Sequence, residues 1–187
     1  KTVSSFIPPY AGQVSSFSSS HILENMNKTV RSSFPEIVNI NFNLLSKGIS
    51  CIFVSVKKNR SNHIRELHEK LFQLQELQEI KFAIYVEHTV DALDIKDVVW
   101  RFTNNIDAKR DGLITGGGEK HLGFDGTRKT KEMDGFDRQW PNIICSDEAT
   151  IKSIDEKWQA MGLGELISSP SLKYRKQLYK GGAVAEE

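Results

Sequence analysis

KFAIYVEHTVDALDIKDVVWRFTNNIDAKRD, residues 81–111, decides how this chain folds. Residues 81–86 are almost wholly apolar and β-rich, which predicts a strand. A polar turn follows, and Asp94 stands where a helix N-cap belongs. Ile95, Val98, Val99 and Phe102 then recur at i, i+3, i+4 and i+7, one face of an amphipathic helix over 95–102. Trp100 widens that face, and residues 107–111 form a charged exit.

Upstream, residues 49–56 (ISCIFVSV) are nearly all apolar or small and strongly β-branched. Such a run predicts a central strand covered on both faces. A basic turn (Lys57, Lys58, Arg60) leads into a helix expected over 61–77, with Ile64, Leu67, Leu71, Phe72 and Leu74 toward the core. Strand, helix and strand at 49–56, 61–77 and 81–86 have the length of a parallel crossover. Earlier still, residues 36–42 alternate apolar and polar as a half-buried strand does. Ser20 is placed to cap a helix over 21–32 that Pro35 ends. Residues 1–20, rich in Ser and carrying Pro8-Pro9, read as an extended lead-in.

Beyond Asp111 the chain turns Gly-rich, and 125–140 is charged and short of apolar residues, so an irregular loop is expected there. A short strand is expected at 143–145. A helix over 147–161, with Ile151, Ile154 and Trp158 facing inward, is closed by Gly162 and Gly164. The tail at 171–179 reads as a basic helix, and the final residues as frayed. The predicted architecture is α/β: three layers, α/β/α, around a mixed, mainly parallel sheet. The predicted division is a lead-in at 1–20, the α/β domain at 21–167 and a tail arm at 168–187.

Composition narrows the partners. Twenty-five Lys and Arg against 24 Asp and Glu leave a formal charge of +1, so no nucleic-acid or anionic-membrane partner is indicated. No apolar run is long enough to span a bilayer, and the first residues carry no signal-peptide core. Cys51 and Cys145 have no CxxC partner, which predicts buried structural thiols in a reducing, cytoplasmic setting.

Candidate chemistry is sparse. His63 and His68, five apart, do not share a helix face, and the five histidines read as surface residues rather than metal ligands. GGGEKH at 116–121 departs from a phosphate loop, because Glu119 precedes Lys120 and no Ser or Thr follows it; a flexible hairpin is expected. Glu87, Asp91, Asp94 and Asp97 cluster where a strand ends and a helix begins, a pattern that suits helix capping. Lys57, Lys58 and Arg60 could meet a phosphate or stay solvated. Lys81, at the start of an apolar strand, is a candidate anion contact. No catalytic triad or nucleophile signature is present.

Three stretches, VSVKKNRSNHIRELHEKLF (54–72), IKFAIYVEHTVDALDIKDVVWRFTNNIDAKRD (80–111) and GEKHLGFDGTRKTKEMDGFDRQWP (118–141), together resemble the C-terminal part of the UbiD family of decarboxylases. The family's pattern is a VSIKK strand end, a Lys-led strand, an acidic turn, a Trp-bearing helix, a DPxRD exit and a KxGxDxT segment near a Trp-Pro or Trp-Gly, and the stretches here follow that order. The acidic turn departs from the family's Asp-Asp-x-Asp: here it is Glu87-His88-Thr89-Val90-Asp91. The resemblance implies a non-oxidative decarboxylase of aromatic acids of the 4-hydroxybenzoate type, in ubiquinone or menaquinone biosynthesis. It also implies prenylated FMN as cofactor, with a divalent metal (Mn or Mg) and potassium at its phosphate. The family's catalytic acid–Arg–acid trio, and its Asn and His metal ligands, have no counterpart here. This chain therefore reads as the C-terminal domain of a longer parent, inactive alone, packed on the parent's N-terminal cofactor domain and assembling as a dimer or hexamer. A cytoplasmic location follows, peripheral to the membrane at most. By the same resemblance Lys81 would reach the flavin phosphate, with Lys120 a second cofactor contact. The contrasting expectation is a stand-alone α/β module for nucleotide binding or oligomerisation.

Overall fold

The computed structural model describes residues 20–114 and 121–185. They fall into two compact units divided between Phe136 and Asp137.

The first unit is built on a five-stranded sheet in the order β1-β2-β3-β5-β4. The strands are β1 (Ile37–Asn41), β2 (Cys51–Val56), β3 (Phe82–Glu87), β4 (Gly112–Ile114) and β5 (Leu122–Asp125). β2, β3 and β5 run parallel, and β1 and β4 flank them antiparallel, so the sheet is mixed around a parallel centre. Side chains alternate across it. Ile52, Val54 and Val56 of β2 and Ala83 and Tyr85 of β3 face the larger core, with Met26 and Val30 of helix α1 (Ser20–Ser33) and Ile64, Leu67 and Leu71 of α2 (His63–Leu71). Phe53 and Val86 face the opposite way, toward Val98 of α3 (Ile95–Asn105). These are the three layers expected from residues 49–105. α3 starts as expected, since the Asp94 carboxylate accepts from the Asp97 backbone N–H.

The helix expected over 61–77 is shorter. α2 stops at Leu71, and a separate 3-10 turn holds Gln75–Leu77. Both pieces bury their apolar residues, so periodicity alone could not show the break between them. β4 and β5 were hidden by short length and glycine. One-turn helices α4 (Ala108–Asp111) and α5 (Lys131–Asp134) flank them. Of the region expected to be an irregular loop, Thr127, Arg128 and Lys129 are buried. The hairpin expected at 116–121 lies outside the described residues except for His121.

In the second unit, α6 (Glu148–Lys157) is capped by Asp147, and Gly162 and Gly164 take the left-handed conformation (φ 68° and 81°) that ends such a segment. Ile151 faces inward, but Ile154 is exposed and Trp158 half-buried. No strand forms at 143–145. Pro141 bridges Val184 instead, and Ile144 is 96% exposed. The basic tail helix is one turn, α7 (Ser171–Tyr174), continued as a 3-10 turn over Arg175–Gln177. Cys51 and Cys145 are half-buried rather than buried, and burial pushes the Cys51 thiol up to about 11.

Candidate functional site

The parallel strands of the first unit deliver their carboxyl ends to one side of the sheet, where α/β proteins assemble polar sites. Chain leaving β2 brings Lys58, chain leaving β5 brings Asp125, Thr127 and Lys129, α4 brings Arg110 and Asp111, and α5 brings Asp134. These residues converge from four segments into one network beside a cleft of about 350 Å³.

Lys58 Nζ donates to Thr127 Oγ1 (3.1 Å), the Arg128 carbonyl (2.7 Å) and both carboxylate oxygens of Asp134 (3.0 and 2.9 Å). Lys129 Nζ donates to the carbonyls of Asp125 and Thr127, both at 2.8 Å. It also lies 3.2 Å from the Asp125 carboxylate and 3.6 Å from that of Asp111. Arg110 grips Asp111 through Nε and Nη2, both at 2.7 Å. That bidentate bond holds the guanidinium above its ordinary range. Asp107 caps α4, accepting from the backbone N–H of Arg110 and of Lys109, and its carboxyl is held low by those bonds. Three cations (Lys58, Arg110, Lys129) thus face three carboxylates (Asp111, Asp125, Asp134). The network is balanced and its ammonium groups are engaged, so its chemistry is that of a buried clamp rather than an anion trap. Lys58, left open between phosphate contact and solvent, takes neither role.

The GxDxT part of the KxGxDxT segment, Gly123 to Thr127, gains a physical reason at each of its three fixed positions. A Cβ on Gly123 would meet the His68 ring at 2.7 Å, so only glycine lets β5 pass it. Asp125 accepts from the Thr127 N–H (3.0 Å) and hydroxyl, and Thr127 accepts from Lys58. These sequence-distant partners were missed because no local spacing joins residue 58 to residues 111–134. The only signal was a charged stretch lacking apolar residues.

His21 and His88 are exposed as expected, but the other three histidines correct the surface reading. His63 and His68 are each 1% exposed, and His121 is buried. His63 Nε2 lies 3.4 Å from Glu36 Oε1. His68 Nδ1 and the Tyr85 hydroxyl are 2.8 Å apart, Phe72 packs edge-on to the His68 ring, and His121 stacks on Phe72. Burial drives His68 down to about 4 and Tyr85 well up. These rings act as core side chains. Among the described residues, no group of three or more His, Cys, Asp or Glu side chains could hold a metal ion.

The acidic turn divides in two. Asp94 caps α3 as expected, whereas Asp91 caps no helix: it accepts from the Leu93 N–H and from Asn39 Nδ2 (3.0 and 3.1 Å) and holds the turn. Glu87 and Asp97 are buried instead, with Glu87 paired to the buried Arg101 at 3.3 Å. Lys81 lies at the opposite end of the sheet from the network and is exposed. Its backbone is pinned by the Ser50 hydroxyl (2.9 Å) and the Leu122 N–H (2.8 Å). Lys120 lies outside the described residues.

The family profile described as "3-octaprenyl-4-hydroxybenzoate carboxy-lyase C-terminal domain" matches residues 22–122. An uncharacterized protein of Aquifex aeolicus is 30% identical over 149 residues, covering 72% of this chain and 30% of the relative. One of Aeropyrum pernix is 26% identical over 148 residues with the same coverage. The chain thus spans about 30% of the length of these curated relatives. Among solved structures, the closed form of Sedimentibacter hydroxybenzoicus vanillic acid decarboxylase shares the fold, with a TM-score of 0.55 at 16% identity over 75% of this chain and 31% of that one. A UbiD-class enzyme of Pelotomaculum thermopropionicum, solved in complex with FMN, gives a TM-score of 0.50 at 17% identity over 72% and 34%. With that match covering more than half of the sequence, this chain belongs to the UbiD family and carries its C-terminal domain.

Proposed function

We propose that this chain is the C-terminal, assembly and cofactor-hinge domain of a prenylated-FMN-dependent decarboxylase of 4-hydroxybenzoate-type acids in quinone biosynthesis. The parent works in the cytoplasm as a homo-oligomer, and its catalytic acids lie outside this chain. The convergence of the family's motif residues on one buried clamp carries the reading. Lys58, Asp107–Asp111, Asp125 and Thr127 serve to hold β2, β5 and α4 together, a scaffolding role rather than a reactive one.

When bound, the prenylated flavin supplies the electron sink that a departing carboxylate requires. Of this chain's own groups, Lys81 suits contact with its phosphate. The backbone on either side is fixed, the side chain is exposed, and an ammonium serves as a point charge for phosphate. Lys120 is a second candidate. By the family resemblance, the ligands of the divalent metal belong to the remainder of the parent.

The test compares the complete gene product with this chain. With prenylated FMN and a 4-hydroxybenzoate-type acid, the parent releases CO₂ and the chain alone does not. Turnover by the chain would place catalytic groups in it. In the parent, Lys81→Ala lowers flavin affinity about tenfold, the loss of one charge-assisted bond. Unchanged flavin content after purification would remove the Lys81 assignment.

A further inference from the structure

Three residues stand side by side at the amino end of the parallel strands. Ser50 immediately precedes β2, Lys81 precedes β3 and His121 precedes β5. The first residues of those strands, Cys51, Phe82 and Leu122, are in register, so the residues before them form a row with Lys81 in the middle. Neighbouring strands lie about 4.8 Å apart, which puts a side chain on either side within reach of the backbone around Lys81.

Both neighbours use that reach. Ser50 Oγ accepts from the Lys81 N–H (2.9 Å) and donates to the Glu79 carbonyl (3.0 Å), and the Ser50 carbonyl accepts from the Phe82 N–H (3.1 Å). On the other side His121 Nδ1 lies 2.6 Å from the Ile80 carbonyl. A carbonyl can only accept, so Nδ1 carries the proton and donates it. The Ile80 N–H donates to the Leu77 carbonyl (3.1 Å), and the Lys81 carbonyl accepts from the Leu122 N–H (2.8 Å). Every backbone polar group from the Glu79 carbonyl to the Phe82 N–H thus has a protein partner. The imidazole is held in turn. It is buried and stacks on Phe72, with 4.2 Å between centroids and 13° between planes, and Phe72 packs edge-on to the buried His68.

This is more than a strand start needs. Lys81 and Phe82 are exposed, and backbone groups at an exposed strand start can bond water instead. Ser50 and His121, one from each flanking strand, take the place of water and fix the Lys81 backbone while its side chain stays at the surface. Ordering an anchor before its ligand arrives lowers the cost of binding. We propose that Ser50 and His121 are positioning residues for Lys81, which strengthen its hold on the flavin phosphate by fixing the strand start that carries it. The inference rests on the reading of Lys81 as a phosphate contact.

FMN titrated into the cofactor-free parent, followed by flavin fluorescence, tests it. Ser50→Ala removes the hydroxyl, and His121→Phe keeps the stack on Phe72 but loses the Nδ1–H donor. Each should weaken FMN about three- to fivefold, less than Lys81→Ala does. Ser50→Thr and His121→Asn, which return a hydroxyl and an N–H donor to the same places, should recover most of the loss. In a Lys81→Ala background, Ser50→Ala and His121→Phe should cost nothing further, because the group they position is gone. A role in packing alone would weaken FMN equally with and without Lys81, and that result would overturn the proposal, as would wild-type affinity in both single variants. Unchanged affinity in Lys81→Ala would instead remove the Lys81 reading, and this inference with it. Circular dichroism checks folding, and Ser50→Ala, at a half-buried position, carries the test if His121→Phe does not fold.

Discussion

Residues 20–136 and residues 137–185 follow different physical rules. The first unit buries its apolar residues on both sides of a sheet, from Met26 and Val30 through Leu67, Leu71 and Tyr85 to Leu113. Among its described large apolar side chains the second buries Ile151 alone, and it leaves Leu163, Leu166, Ile167 and Leu172 each half or more exposed. Polar bonds to the backbone shape it instead. Asn142 Nδ2 reaches the carbonyls of Tyr179 (2.6 Å) and Gly182 (3.0 Å), its Oδ1 accepts from the Tyr179 N–H (3.1 Å), and Trp158 Nε1 reaches the carbonyls of Gly164 and Glu165. Hydrogen bonds contribute about 1 kcal/mol net each, less than a buried apolar side chain. The first unit should therefore fold as a cooperative block and the second should open at lower free energy.

The largest expected effect strikes the first unit. Lys129→Ala takes the ammonium away from Asp125 and leaves Asp111 to Arg110 alone, and should cost about 3–5 kcal/mol in urea unfolding. A loss below 1 kcal/mol would show that the clamp does not hold the unit.

Next comes pH. An unfolded histidine takes up its proton near pH 6.5, whereas buried His68 resists until about 4. Between those values the unfolded chain binds more protons, so stability falls as pH is lowered from 6.5 to 4 and is fully present above that window. The expected loss is about 3 kcal/mol. His68→Asn should flatten this part of the profile, and an unchanged slope would assign it to other groups.

Gly123→Ala drives a methyl into the His68 ring, which Tyr85 and Phe72 hold in place. A cost of about 1–3 kcal/mol is expected, measured as a lower melting temperature. Asn142→Ala should cost about 1–2 kcal/mol and speed amide exchange in 137–185 only. Faster exchange across β2 and β3 as well would dissolve the contrast between the units. Leu166→Ser, at a side chain already 60% exposed, should change stability by less than about 0.5 kcal/mol.

Legibility followed the range of the interactions. Strands 49–56 and 81–86 and the capped helix after Asp94 were readable because apolar periodicity and an N-cap are local signals. β4 and β5 were not, since three or four residues with glycine carry too little pattern. The clamp was half visible. Its motifs could be recognised, but nothing in them showed that Lys58 meets Asp134 or that Lys129 lies between Asp111 and Asp125.

The sequence by itself determined the layers, the family resemblance and the absence of a triad or nucleophile signature, because each is written in residue type and near-neighbour spacing. Only the tertiary structure decided that His63 and His68 are core residues and that the charged 125–134 stretch is partly interior. Burial and charge pairing depend on which distant segments share a strand end, and that is a property of the assembled sheet.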